Sequence, residues 1–238
     1  MSPPSGSAPH GPPGAARDGE ALQATPGWCS PEVAQELPGL ALISGEVQVM
    51  RAGTLGGRSP ADIRARLREL SIRLRGPAAV RMRREPIPMA YRVFFRHIGL
   101  DPDVERTPIE AAVLERMLRG GFLSGGLLAD VLLIALIDTG VPVWALDAAS
   151  VEGPLGIRSS AKGERLGRTT DARELAAGRL VVADARGPVA ILFGEVAPAN
   201  QPTGAGSRLL LFAVQVAGVP GLYVEEALWS VHSALRVG

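Results

Sequence analysis

The hydrophobic pattern of the chain changes period near residue 140, and this change limits the possible folds more than any other feature. Before it, apolar residues recur every three or four positions. Ile63, Leu67, Leu70 and Leu74 form one such stripe, the buried face expected of an amphipathic helix. After it come short apolar runs, VPVWAL, PLGIRSS, RLVVAD, VAILFG and LLLFAVQV, punctuated by Gly, Pro and Asp. That is the pattern of strands. One early run, Leu40 to Arg51, also reads as a strand, with Gly45 at a bulge. The closing stretch Tyr223 to Leu235 reads as a helix that buries Leu228, Val231 and Leu235. Such segregation predicts an α+β fold rather than an alternating α/β one. Helices fall mainly in the first half, and the second half builds a mostly antiparallel sheet or β-sandwich.

Local signals set the element boundaries. Ser30-Pro31, Ser59-Pro60 and Thr107-Pro108 each pair a capping hydroxyl with a proline suited to a first helical turn. A helix led by Pro88 is expected over Met89 to Ile98, with Tyr91, Phe94 and Phe95 inward. In the helix after Thr107, spacing puts Ile109, Val113 and Met117 inward and Glu110, Glu115, Arg116 and Arg119 toward water. Leu127 to Ile137 has little polar face and is predicted to be central. Asp130, Asp138, Gly140 and Pro142 interrupt the run Leu127 to Leu146, so it is not expected to span a bilayer. Residues 1–27 are rich in Pro, Gly, Ser and Ala and are expected to form a disordered arm. Residues 28–238 are then one domain.

With 46% hydrophobic and 21% charged residues, the chain has ordinary globular usage. Cys29 is the only cysteine, and His10, His97 and His232 are scattered, so neither a disulfide nor a metal site is expected. His97 and His232 are expected at the surface or at caps. No GxGxxG or P-loop is present, so no cofactor is expected. No apolar targeting run opens the sequence, and a cytoplasmic location is expected. Net charge is +1, but its distribution is uneven. Ten arginines lie between Arg64 and Arg96, opposed only by Glu69 and Glu85. Arg64, Arg66, Arg68, Arg73 and Arg75 head this stripe. It reads either as a track for a phosphate backbone or as a solvated helix face in an arginine-biased protein.

A set of motifs runs in order over more than half of the chain. The aromatic helix Tyr91-Arg92-Val93-Phe94-Phe95 precedes Thr107-Pro108-Ile109-Glu110-Ala111-Ala112-Val113-Leu114-Glu115-Arg116-Met117-Leu118-Arg119-Gly120. Next come Gly125-Gly126-Leu127-Leu128-Ala129-Asp130 and Val141-Pro142-Val143-Trp144-Ala145-Leu146-Asp147. Gly153, Leu155, Arg158, Ala161, Gly163 and Glu164 follow, and then Gly178-Arg179-Leu180-Val181-Val182-Ala183-Asp184. From about Arg84 to Gln215 the sequence resembles the B3/B4 domain family, the tRNA-handling module of the phenylalanyl-tRNA synthetase β subunit. The resemblance implies a B3/B4-like fold and tRNA or aminoacyl-tRNA as partner, with no membrane and no DNA. It also implies an editing role, the hydrolysis of mischarged tRNA in trans. Nothing resembles a synthetase catalytic core, so a complete ligase is not implied. Where the synthetase versions carry His and Asn near the turn and Asn one helical turn after the Asp, this sequence has Gly125, Gly126 and Leu133.

The candidate site residues follow from these motifs. Asp130, in an apolar helix, must be paired if buried; it either lines a ligand pocket or bonds backbone donors of the Gly125-Gly126 turn. That turn either lets a substrate approach a helix start or is simply a turn. Glu195, Asn200 and Thr203 follow the strand VAILFG. Glu195 is the candidate general base that would orient a water on an aminoacyl ester, and Asn200 and Thr203 are candidate substrate contacts. The alternative for all three is a solvated loop. The alternative function is a non-catalytic pocket for an amino acid or similar small ligand.

Overall fold

The computed structural model describes residues 22–50, 55–170, 172–203 and 208–236. The first elements are β1 (Thr25–Pro26) and β2 (Trp28–Cys29). The elements then run α1 (Pro31–Glu36), β3 (Ala41–Gln48), α2 (Ala61–Arg73), α3 (Pro77–Met82), α4 (Pro86–His97), α5 (Pro108–Arg119) and α6 (Leu127–Thr139). After these come β4 (Val143–Asp147), β5 (Gly156–Ser159), β6 (Leu180–Asp184), β7 (Gly187–Ile191), β8 (Arg208–Gln215) and α7 (Gly221–Arg236). The fold is α+β. One four-stranded sheet has the order β1-β3-β8-β4, all antiparallel, with Ala41 opposite Gln215 and Val143 opposite Ala213. The other has the order β2-β5-β6-β7, antiparallel except for β2.

Both sheets share one apolar core. Leu42, Val47, Leu146 and Leu211 enter it from the first sheet, and Ile157, Val182 and Val189 from the second. Val224, Leu228, Val231 and Leu235 of α7 also pack there, at the four-residue rhythm of a buried helical stripe. The helices α2, α3, α5 and α6 enclose a smaller cluster around Leu70, Met82, Ile109, Val113 and Ile137. Among the described residues no helix is long and apolar enough to cross a membrane.

Several expectations need correction. Most of the predicted arm lies outside the described residues, but residues 22–27 belong to the fold: Leu22 packs on the core, and Thr25 and Pro26 pair with Ser44 and Ile43. The helix expected from Met89 starts at Pro86; Pro86 and Pro88 both fit its first turn. Helix α3 was not foreseen, because six residues following Gly76-Pro77 carry too little periodicity. Met117 is 53% exposed, while Glu110 and Arg116 are buried. Arg116 donates to the Ser71 carbonyl at 2.7 Å, and the Glu110 charge is met by arginines. The Glu110 carboxylate accepts from Arg83 at 2.6 Å, from Arg92 at 2.5 Å and from the Thr107 hydroxyl at 2.9 Å. Burial pushes the Glu110 carboxyl up, but the bonds from Arg83, Thr107 and Arg92 outweigh it and hold the group below the ordinary carboxylate range. His232, expected at the surface or at a cap, is buried on α7.

Candidate functional site

The start of α6 collects three of the sequence candidates into one hydrogen-bonded knot. Asp130, 1% exposed, accepts from the Ser59 hydroxyl at 2.5 Å, the Ser124 hydroxyl at 2.5 Å and the Gly125 N–H at 2.8 Å. Ser59 was expected to cap α2; its hydroxyl instead binds Asp130, and Pro60 stands at the cap. The Leu127 and Leu128 N–H groups, which would otherwise be free at a helix start, donate to the Gly57 and Leu55 carbonyls at 3.2 and 3.1 Å. Gly126 has φ +111°, and a Cβ there would lie 2.9 Å from the Gly56 carbonyl oxygen. The turn is closed by the chain itself.

The other candidates are held separately. Asn200 is buried and donates to the Ser150 hydroxyl at 2.9 Å and the Ser150 carbonyl at 3.2 Å. The Glu195 carboxylate meets Arg173 at 2.7 Å, and Thr203 is exposed. No hydrogen bond joins these three to one another or to Asp130 among the described residues.

The arginine stripe divides in two. Arg66 and Arg73 both bind Asp138 of α6, at 2.9 and 2.7 Å, and Arg66 also meets Glu69 at 2.7 Å. Arg64 donates to the Ser59 carbonyl at 3.0 Å. All three are tied to neighbouring groups of the fold, Arg66 and Arg73 through ion pairs at the surface. Arg68 and Arg75 are exposed, with no ion pair among the described residues.

A cleft of about 360 Å³ lies between the start of α5, the middle of α6 and β4. Pro108, Leu132, Leu133, Leu136, Trp144 and Phe193 line it, and Arg106 stands with them. Arg106 is exposed and has no ion pair among the described residues. Aromatic rings build the wall. Phe193 meets Tyr91, Phe94, Phe95 and Trp144 with centroids 5.5–5.8 Å apart, and Trp144 stacks on Phe212 at 5.4 Å. The Trp144 indole N–H donates to the Gly194 carbonyl at 3.2 Å, which fixes the ring. Phe193 has φ +57°, the only positive φ of a non-glycine among the described residues. Such a conformation costs about 1–3 kcal/mol, and the aromatic contacts, about 0.5–1.5 kcal/mol each, offset it. An apolar cleft with a single charged group on its lining suits the apolar side chain of a ligand that carries an anion nearby. The six residues singled out in the sequence for substrate or catalysis do not line it.

The B3/4 domain family model matches residues 90–197, the span that holds every residue lining this cleft. Over residues 90–197 the chain is similar to the B3/4 domain. The phenylalanine–tRNA ligase beta subunit of Xanthomonas oryzae pv. oryzae (strain MAFF 311018) is similar, at 36% identity over 95 residues, 39% of this chain and 12% of that subunit. The subunits of Streptomyces avermitilis and Xylella fastidiosa (strain Temecula1 / ATCC 700964) are each 35% identical over 95 residues, 39% of this chain and 11% and 12% of theirs. The chain thus spans about an eighth of the length of the curated relatives it matches.

The cleft in the segment that matches the B3/4 domain was not found from the sequence. Its walls come from residues up to 87 positions apart, Arg106 to Phe193. The one signal pointing to it was the departure at Leu133, which puts an apolar side chain on the lining where the synthetase versions were expected to carry Asn. Arg106, Trp144 and Phe193 carry no local motif that marks a site. The arginine stripe from Arg64 to Arg75 precedes the B3/4 segment.

Proposed function

We propose that this chain recognises aminoacyl-tRNA, seating an apolar aminoacyl side chain in the cleft of the segment that matches the B3/4 domain. The observation that carries the reading is the cleft itself: aliphatic and aromatic walls, with Arg106 free of carboxylate partners among the described residues. Arg106 would meet the terminal phosphates of the nucleic acid while Trp144, Phe193 and Leu133 enclose the side chain. The relatives are named as phenylalanine–tRNA ligase beta subunits, which supports tRNA as the partner and a cytoplasmic location. The reading is one of binding. No carboxylate lines the cleft, and Glu195, on the turn that carries Phe193, is engaged by Arg173. Hydrolysis in trans by Glu195 therefore has less support than recognition.

A second reading, a pocket for a free amino acid, is favoured by Leu133, which makes the lining more apolar. The test uses phenylalaninamide, which carries the side chain and amine without a free carboxylate. A ligand specific for the folded state raises the melting temperature. Phenylalaninamide is expected to do so, and Leu133→Trp, which fills the cleft, is expected to abolish the shift. A shift that survives Leu133→Trp would place the ligand elsewhere. A shift with phenylalanine in a protein that binds no tRNA would favour the second reading.

A further inference from the structure

We infer that Arg68, Arg75, Arg81 and Arg84, at the corner formed by α2 and α3, make the surface that contacts the RNA backbone. This inference rests on the proposed recognition of aminoacyl-tRNA and assigns its phosphate contacts. All four side chains are exposed and have no ion pair among the described residues. Their neighbours in the stripe differ: Arg66 and Arg73 are held by Asp138, and Arg83 and Arg92 by Glu110 and Asp103. The acidic residues beside the patch are few. Glu69 is engaged by Arg66, and Glu85 is the other exposed carboxylate next to these arginines.

Placement supports one surface. Arg68 lies on α2, and Arg75 lies in the short link Leu74–Gly76 between the end of α2 at Arg73 and the start of α3 at Pro77. Arg81 and Arg84 are three apart, within reach of each other on α3 and the turn that continues it, where the Arg84 N–H donates to the Arg81 carbonyl at 2.8 Å. Four like charges without local compensation repel one another, so a polyanion that brings many phosphates gains from each of them. Arg106 links this surface to the cleft. It lines both the aminoacyl cleft and a second cavity of about 310 Å³ between α3 and α5, whose walls include Val80, Met82 and Arg83. A strand that leaves the cleft past Arg106 is led along α3.

The experiment is a gel-shift titration of the full chain with total tRNA across salt, comparing wild type with Arg68→Gln/Arg75→Gln/Arg81→Gln/Arg84→Gln. Phenylalaninamide thermal shift on both proteins reports the fold and the cleft. The expected result is an affinity loss of 100-fold or more at low salt, and a log–log salt slope shallower by about 3 when four phosphate contacts are removed. The phenylalaninamide shift is expected to be kept, and Arg186→Gln, on the opposite half of the chain, is expected to bind as wild type. Unchanged affinity and slope in the quadruple variant would overturn the inference while leaving the recognition reading intact. No tRNA binding by wild type would overturn both. Displacement of tRNA by polyglutamate at equal charge concentration would mark the patch as a surface for acidic protein and overturn the RNA assignment.

Discussion

Replacing Glu110 by Gln tests whether the charge cluster at the start of α5 holds the helical layer together. The Arg92 and Glu110 side chains are only 7% and 4% exposed, and their charged groups meet at 2.5 Å. The substitution keeps the shape and removes the charge, so the buried Arg92 guanidinium loses its main counter-ion. Breaking a buried pair in this way costs about 3–5 kcal/mol. Asp103 still contacts Arg92 at 3.0 Å but is itself 57% exposed, which places the expected loss near the lower end, about 3 kcal/mol. That is a large part of the roughly 5–15 kcal/mol that stabilises a folded domain. With a urea dependence of about 3 kcal/mol per molar, the unfolding midpoint falls by about 1 M. The double variant Arg92→Met/Glu110→Leu is expected to recover part of the loss, because it leaves no uncompensated buried charge. A Glu110→Gln midpoint within about 0.2 M of wild type, or a double variant as destabilised as the two single losses added, would refute the coupling.

Two further outcomes follow from the charge pairs of the fold. Glu110, Glu164 and Asp184 all have carboxyls held below the ordinary range, Glu164 by the Arg158 bond and Asp184 by Arg168 and the backbone N–H groups of Glu152 and Arg186 against the upward push of burial. Depressed carboxylates stabilise the fold above their unfolded values, so stability is expected to be flat above about pH 5 and to fall as pH drops below about 4; a urea midpoint constant from pH 3 to 7 would contradict this. Arg66→Glu places a like charge against Asp138 and is expected to cost about 1 kcal/mol or more, whereas Arg68→Glu stays within about 0.5 kcal/mol; urea unfolding giving equal losses would show that the tie between α2 and α6 carries no stability.

Legibility in the sequence depended on whether a residue's role was set locally. The stripe of Ile63, Leu67 and Leu70 and the buried face of α7 were readable because periodicity alone fixes which side faces inward. The face of α5 was misread, because Glu110 and Arg116 carry charges that composition assigns to water. Their partners Arg83, Arg92 and Ser71 lie 18 to 45 residues away. The tie of Arg66 and Arg73 to Asp138 was not legible for the same reason, since Asp138 is 72 and 65 residues distant. Asp130 was legible as a residue that needs partners, and Gly125 is one of them, but Ser59 was invisible 71 residues upstream. The cleft escaped notice because its lining residues are ordinary apolar ones that only the tertiary fold brings together.

The most direct measurement is the affinity of the full chain for phenylalanyl-tRNA against the same tRNA deacylated, at one salt concentration and with released amino acid monitored. Recognition in the cleft predicts tighter binding of the charged form, a preference erased by Leu133→Trp while binding of deacylated tRNA persists. Equal affinity for the two forms in the wild-type protein would contradict the account.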